Sequence, residues 1–540
     1  MMRTRKTRTK SPDSNYVTPP PSSAFDRKPT KKRSGNMGLI AIIGVLVILM
    51  VVLGTVNTGS KNKEIYGNKR LKHPDAKKGP VKQQKNDAIV VETKDEEVKS
   101  ASEHDMEVNG DGVDVEVDAG DGDGDGDVGG EDNRVYHLVF STDCSPYQHW
   151  QSYLLFHSAM KVKQPGYVTR IVSGCQEKEE AETIAWHKKH VQSTMSDKFQ
   201  IHMTPHFSAV KDENGKVKGD YKFFNKPFGL RHWMEHGEGM GVDEKTGKMF
   251  NEDMIIILTD PDMVLMRPIT ADFSNSREVI VGKSNPQRFF TVEHGQPIAQ
   301  KYGFGSQWYT KLDFDVIAGE NSPAKKVNTR EAFTNYPVGP PYLATARDMY
   351  NISVKWSDFA PGVHKQYPYL LAEMFAFCAA AAHLELPHQL MESLMVSNVG
   401  TPGEGWDFIN NIPKDEVCSF AKAPDHEKYA VPSVLHYCQR YIIGPWFWAK
   451  RRMPHNIFTC DAPLLKEPDT SLMEYNYFIT PDGQRQDLKE RFWAGNAFMV
   501  CALIEALNEA GTFFKKNSCE KGNYSKTHTF VQESVNVDRN

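Results

Sequence analysis

A run of twenty residues without a charged side chain, from Met37 to Val56, sets the first constraint on what this chain can become. At about 1.5 Å per helical residue such a run matches the roughly 30 Å hydrocarbon core of a bilayer. It reads as a transmembrane signal anchor. A cleaved signal peptide has a shorter apolar centre and ends at a small-residue site that is not found here. Residues 1–36 carry Arg3, Arg5, Lys6, Arg8, Lys10, Arg27, Lys28, Lys31, Lys32 and Arg33 with almost no apolar content, so they read as a disordered basic tail. Positive flanks stay cytosolic, which places the C-terminal bulk on the lumenal side. All eight cysteines follow the run, as do the sequons Asn351-Ile-Ser353 and Asn523-Tyr-Ser525, consistent with an oxidising compartment.

The net charge of −4 averages this basic start with an acidic middle. Residues 57–133 are polar, first Lys-rich and then acidic, with no sustained apolar period, and read as a disordered stalk. Within them Asp121, Asp123, Asp125, Gly126, Val128 and Asp132 fit the spacing of a twelve-residue calcium loop. No amphipathic helix precedes that loop, and its last position holds Asp rather than the longer Glu, so a flexible linker is the preferred reading.

From Arg134 to about Thr512 the composition is globular, and 513–540 reads as a tail. Residues 134–141 form a strand pattern, 147–162 a helical one and 167–173 a second strand, which together make a βαβ unit and a parallel sheet. Met254–Leu258 is a continuous apolar run, as expected of a central strand covered on both faces. Residues 279–281 and 227–236 extend the alternation, 366–383 predicts a buried helix, and 284–333 reads as inserted loops or lids. The fold class is therefore α/β, one domain with a mostly parallel central sheet behind a transmembrane helix and a stalk. Cys144 and Cys175 follow the ends of neighbouring strands, within plausible disulfide reach.

Asp260-Pro-Asp262 directly follows the Ile-rich strand. Two carboxylates at the C-terminal edge of a parallel sheet sit where such folds bind ligands, and hard oxygen donors suit Mg²⁺ or Mn²⁺. The competing reading is an ordinary turn. His436, in the strand-like Val434-Leu-His-Tyr-Cys438, is the first choice for a third metal ligand, against a buried structural histidine. His187 and His190 read as a solvated helical face, and His202 and His206 as structural. Arg170 lies inside the second strand, where a buried charge needs an anionic partner, either a protein carboxylate or a diphosphate. Glu373 interrupts an apolar helix, so it either faces the reacting groups or forms a core salt bridge. Trp150 covers a base or sugar, or packs the core. The segment 446–452, Trp-Phe-Trp-Ala-Lys-Arg-Arg, either binds sugar and phosphate or closes the domain's edge.

Taken in order, several segments resemble plant hydroxyproline O-arabinosyltransferases and peptidyl serine α-galactosyltransferases. They are 137–151 (HLVFSTDCSPYQHWQ), 165–171 (PGYVTRI), 225–233 (NKPFGLRHW), 260–268 (DPDMVLMRP), 371–375 (LAEMF) and 435–437 (LHY). The resemblance covers about residues 134–460. It implies the A-type nucleotide-sugar glycosyltransferase fold, a UDP-sugar donor (UDP-arabinofuranose or UDP-galactose), and Mn²⁺ or Mg²⁺ held by Asp260 and Asp262. It also places Arg170, Thr142 and Trp150 near the nucleotide. The implied acceptors are hydroxyproline or serine hydroxyls of secreted and cell-wall glycoproteins, and the implied address is the Golgi membrane, single-pass type II. Known transfers in this group retain anomeric configuration, which leaves little for a conventional base and sets Glu373's catalytic role against its structural one. A lumenal carbohydrate- or peptide-binding protein with the same fold and no turnover is the rival expectation, and nucleic acid is not an expected partner.

Overall fold

The computed structural model describes residues 134–528 apart from 213, 275–287, 402–403, 469–471, 473 and 480–483. The segments 1–36, 37–56 and 57–133, the acidic loop at 121–132 and the strand expected at 279–281 lie outside the described residues.

The chain starts with β1 (Tyr136–Asp143), α1 (Pro146–Lys161) and β2 (Tyr167–Ser173), and the two strands pair in parallel from His137–Tyr167 to Asp143–Ser173. This is the βαβ unit expected from the sequence. Next come α2 (Glu177–His187), β3 (Phe199–Thr204), α3 (Asn225–His236) and β4 (Ile255–Thr259). A seven-stranded sheet then gains β6 (Ile298–Lys301), β7 (Val338–Thr345) and β8 (Gln389–Met391), in the order β8-β6-β7-β4-β1-β2-β3. Only β7 runs against the others, antiparallel to both β4 and β6. The mostly parallel central sheet is thus present.

Both faces of that sheet are covered. Leu138, Phe140, Ile255 and Ile257 point into a core shared with α1. Val139, Ile256 and Leu258 point into a second core with α3, α4 (Ala346–Gln366) and α5 (Ala372–His383). Side chains alternate between faces along a strand, so a strand buried on both sides must be apolar throughout, as β4 is. A smaller three-stranded sheet sits beside the large one. It is built from β5 (Met263–Leu265), β9 (Met395–Val396) and β10 (Val434–His436) in the order β9-β10-β5. Beyond it lie a hairpin, β11 (Arg440–Ile443) with β12 (Trp446–Ala449), then α6 (Val417–Lys422) earlier in the chain and the long α7 (Glu490–Ser518). By length and composition α7 is apolar enough to cross a membrane, yet its inner face is buried within the domain. Cys501 of α7 is bonded to Cys418, and Cys519 to Cys460. The Cys144–Cys175 disulfide expected between the ends of β1 and β2 is present.

Several expectations need correction. The helix expected over 366–383 begins only at Ala372, because Tyr367 precedes Pro368 and a residue before proline is pushed out of the helical region. The segment 284–333 is more than loop: β6 belongs to the central sheet, and Gln307–Thr310, Phe314–Ala318 and Thr329–Asn335 are short helices. The boundary at 512 falls inside α7, and Lys526–His528 pairs with Leu464–Leu465, so the fold continues to 528. His187 and His190 are buried, not solvated. α2 runs on into a π-helical turn at Lys188–Gln192, where the lysines take the solvent side. His187 Nε2 lies 3.0 Å from the Phe199 carbonyl, and the His190 ring stacks on Phe514.

The turn from α1 into β2 depends on Gly166. Its φ is +79°, and a Cβ there would lie 2.0 Å from the Tyr136 carbonyl oxygen. Gly166→Ala is expected to cost at least about 2 kcal/mol of folding free energy, measured by chemical denaturation of the purified protein.

Candidate metal and donor site

The segment Asp260-Pro261-Asp262 is the turn by which the chain leaves β4 of the large sheet and enters β5 of the small one. Its place is therefore the C-terminal rim of the parallel strands, where backbone groups and loops of such sheets meet ligands. The sequence-distant partner arrives by strand pairing. β10 runs antiparallel to β5 with His436 opposite Met263, and the next amide, Tyr437 N–H, donates to the Asp262 carbonyl at 3.0 Å. Tyr437 also donates its hydroxyl to the Pro261 carbonyl at 3.4 Å, and its ring stacks on Trp150. Trp150 is 2% exposed, so it braces the turn from behind through Tyr437.

The pairing brings one ligand atom each from Asp260, Asp262 and His436 within 4.8 Å of one another. His436 Nε2 lies 3.3 Å from Asp262 Oδ2, while its Nδ1 is buried with no hydrogen-bond partner. Two carboxylates and an imidazole suit a divalent ion of the Mn²⁺ or Mg²⁺ type and leave its remaining positions to phosphate oxygens and water. The donor set fits such an ion once His436 gives up its proton, which burial favours but the Cys438 and Asp262 side chains together oppose more strongly.

Each carboxylate also has an ammonium. Lys450, just after β12, bonds Asp262 Oδ2. Lys226, in the first turn of α3, lies 2.6 Å from Asp260 Oδ1 and 3.1 Å from Glu373 Oε1. Burial alone would raise the Asp262 carboxyl, but Lys450 and His436 outweigh it and hold it far below the usual carboxylate range. Burial likewise opposes the charged forms of Lys226 and Lys450, and the carboxylates override it and hold both above the ordinary lysine value. Glu373 is raised, first by burial and then by Asp260, against the pull of Lys226. The core salt bridge considered for Glu373 thus exists, with Lys226 as its partner. Sequence reasoning passed over Lys226. Its one signal is a cation in a helix's first turn, where the macrodipole disfavours positive charge.

Arg170 and Thr142 form a separate buried array. Arg170 Nε donates to Thr142 Oγ1 at 2.9 Å, Nη1 to His149 Nδ1 at 3.1 Å and Nη2 to the Asp143 carbonyl at 3.2 Å. Arginine only donates, so His149 must accept at Nδ1. Burial and the adjacent Arg170 lower His149 to about 4, which keeps it neutral. Burial also lowers Arg170, to about 9, with the Asp143 charge working the other way. Being 1% exposed, Arg170 secures the turn between β1 and α1, and each of its three nitrogens donates to a protein acceptor. In the segment 446–452, Trp446, Phe447 and Trp448 pack the core while Arg451 and Arg452 are exposed beside Lys450. His202 meets His232 at 2.9 Å, and the His206 Nε2 lies 2.6 Å from Ser208 Oγ.

In sequence the chain is similar to the peptidyl serine alpha-galactosyltransferase of Arabidopsis thaliana, at 23% identity over 424 residues, 74% of this chain and 41% of that protein. It thus spans about two-fifths of the length of that curated relative. No family model matches. Solved structures that overlay on part of the chain include the bifunctional glycosyltransferase WbbM, at TM-score 0.29 and 12% identity, covering 57% of this chain and 46% of that one. The glycosyltransferase GlyE of Streptococcus pneumoniae overlays at 0.28 and 13%, covering 56% and 55%, and an LgtC active-site mutant at 0.29 and 10%, covering 56% and 87%. Overlays this loose decide nothing about the chain.

Asp262→Asn strands the Lys450 ammonium against a neutral amide in a nearly closed site. The loss expected is about 3 kcal/mol of folding free energy in chelator-containing buffer. Adding Lys450→Met should recover part of it in the same denaturation assay. Equal stability of Asp262→Asn and wild type would show that the ion array is not closed.

Proposed function

We propose that this chain is a metal-assisted glycosyltransferase that moves a sugar from a nucleotide sugar to a hydroxyl of a secreted protein. The observation that carries the reading is the convergence of Asp260, Asp262 and His436 at the sheet's C-terminal rim. The sequence similarity, over most of the described domain, to a protein named for galactosyl transfer to peptidyl serine supports the same chemistry. It favours UDP-galactose as donor and serine as acceptor over UDP-arabinofuranose and hydroxyproline.

In this reading Asp260, Asp262 and His436 hold Mn²⁺ or Mg²⁺. The ion, when bound, supplies positive charge to the departing diphosphate. Lys450, with Arg451 and Arg452 next to it in sequence, adds positive charge on the same side, while Trp150 and Tyr437 keep the Asp-Pro-Asp turn from relaxing. The acceptor oxygen forms its bond to the anomeric carbon as the bond from that carbon to the diphosphate breaks; the electron pair leaves with the diphosphate, whose oxygen takes up the hydroxyl proton. An anchor at 37–56 with the domain in the Golgi lumen completes the reading. Three disulfides support an oxidising compartment.

The test is a donor screen on the purified protein, with UDP-galactose and UDP-arabinofuranose offered to serine-rich and hydroxyproline-rich peptides and products weighed by mass spectrometry. A hexose on serine peptides, lost on metal chelation and reduced at least about a hundredfold by Asp262→Asn, is the expected result. A pentose gain would move the assignment to arabinosyl transfer. No gain with any donor would leave a binding protein.

A further inference from the structure

Lys226 sits in an unfavourable place. It occupies the first turn of α3, which has no acidic residue to offset the helix N-terminus, and its side chain is 12% exposed. A cation there is opposed both by the aligned peptide dipoles and by desolvation. What offsets these costs is the pair of carboxylates it bridges, Asp260 from the β4–β5 turn and Glu373 from the first turn of α5. Glu373 is favourably placed by its own helix and 3% exposed. A site that keeps a costly cation between two acids, one of them beside a candidate metal position, has a use for the bridge.

We propose that Lys226 is a positioning residue that couples Glu373 to the metal position. It acts as an internal cation competing for Asp260, and Glu373 sets how strongly it competes. The inference rests on the reading of Asp260, Asp262 and His436 as the metal position. Its logic is electrostatic. A divalent ion approaching Asp260 meets the Lys226 ammonium already there, and Glu373 gives that ammonium a second anchor so that Asp260 can be shared. Without Lys226 the ion meets less positive charge. Without Glu373 the ammonium leans wholly on Asp260 and must be displaced outright.

The two substitutions therefore act in opposite directions on metal affinity, before any sugar is present. Mn²⁺ is titrated into the purified full chain and the free ion read by electron paramagnetic resonance. Lys226→Met is expected to tighten Mn²⁺ binding by roughly tenfold and Glu373→Gln to weaken it by a similar factor. The Glu373→Gln loss should shrink when combined with Lys226→Met, because most of it passes through the lysine. Lys226→Gln gives the same signs if the Met variant does not fold, and Lys226→Arg keeps affinity near wild type.

Weaker or unchanged binding in Lys226→Met and Lys226→Gln overturns the role, since a merely structural lysine would misplace Asp260 and lose metal. A Glu373→Gln loss of equal size with and without Lys226 also overturns it, leaving only a direct field. Absence of Mn²⁺ binding to the wild type overturns the metal reading along with this one. Intact wild-type binding with same-sign shifts removes only the role of Lys226.

Discussion

The register of β10 against β5 decides whether this molecule has a site at all. Met263 faces His436 across that short antiparallel pair, and the Tyr437 amide closes onto the Asp262 carbonyl one step further along. Because side chains alternate along a strand, a slip of one residue would turn His436 away and bring a neighbour into its place. The β4–β5 turn could still form, but its carboxylates would face only lysines. Trp150 and Tyr437 protect the register from behind, their rings stacked beneath the turn. The small sheet thus does for the chemistry what the large sheet does for stability.

Charge is handled with similar economy. Asp260, Asp262 and Glu373 share Lys226 and Lys450, three acids against two bases in a region where each side chain is at most 21% exposed. Isolated buried ions would be costly, and removing one member of such an array leaves another stranded. His436, 3.3 Å from Asp262 Oδ2, adds a third basic partner to the array. The Arg170 array at the start of α1 follows the opposite rule, with one buried cation dispersed over neutral acceptors.

How much of this was legible in the sequence varies by residue. The β1–α1–β2 unit, the Ile-rich β4 and the Cys144–Cys175 link follow from local periodicity, because their partners lie close in the chain and each pattern is strong. Asp260 and Asp262 stood out as acids at the end of an apolar strand. His436 was reachable only as a histidine in a strand-like run, since nothing local says which strand it pairs with. β6 was missed because its four residues sit among turn formers and take their strand identity from β7 and β8. The burial of His187 and His190 was misjudged because the lysines between them suggested solvent, whereas Phe199 and Phe514 supply an inner wall that no local pattern shows. Lys226 escaped notice because its partners come from elements far along the chain.

The last long helix carries a consequence for topology. By length and apolar content alone, 490–518 would count as a membrane crossing. Yet Cys501 within it and Cys519 just past it are each joined to a cysteine that precedes it, Cys418 and Cys460. Disulfide bonds do not straddle a bilayer. The Cys460–Cys519 tie therefore holds the segments on either side of α7 in one compartment, and Cys418–Cys501 fastens the middle of the helix to the same side.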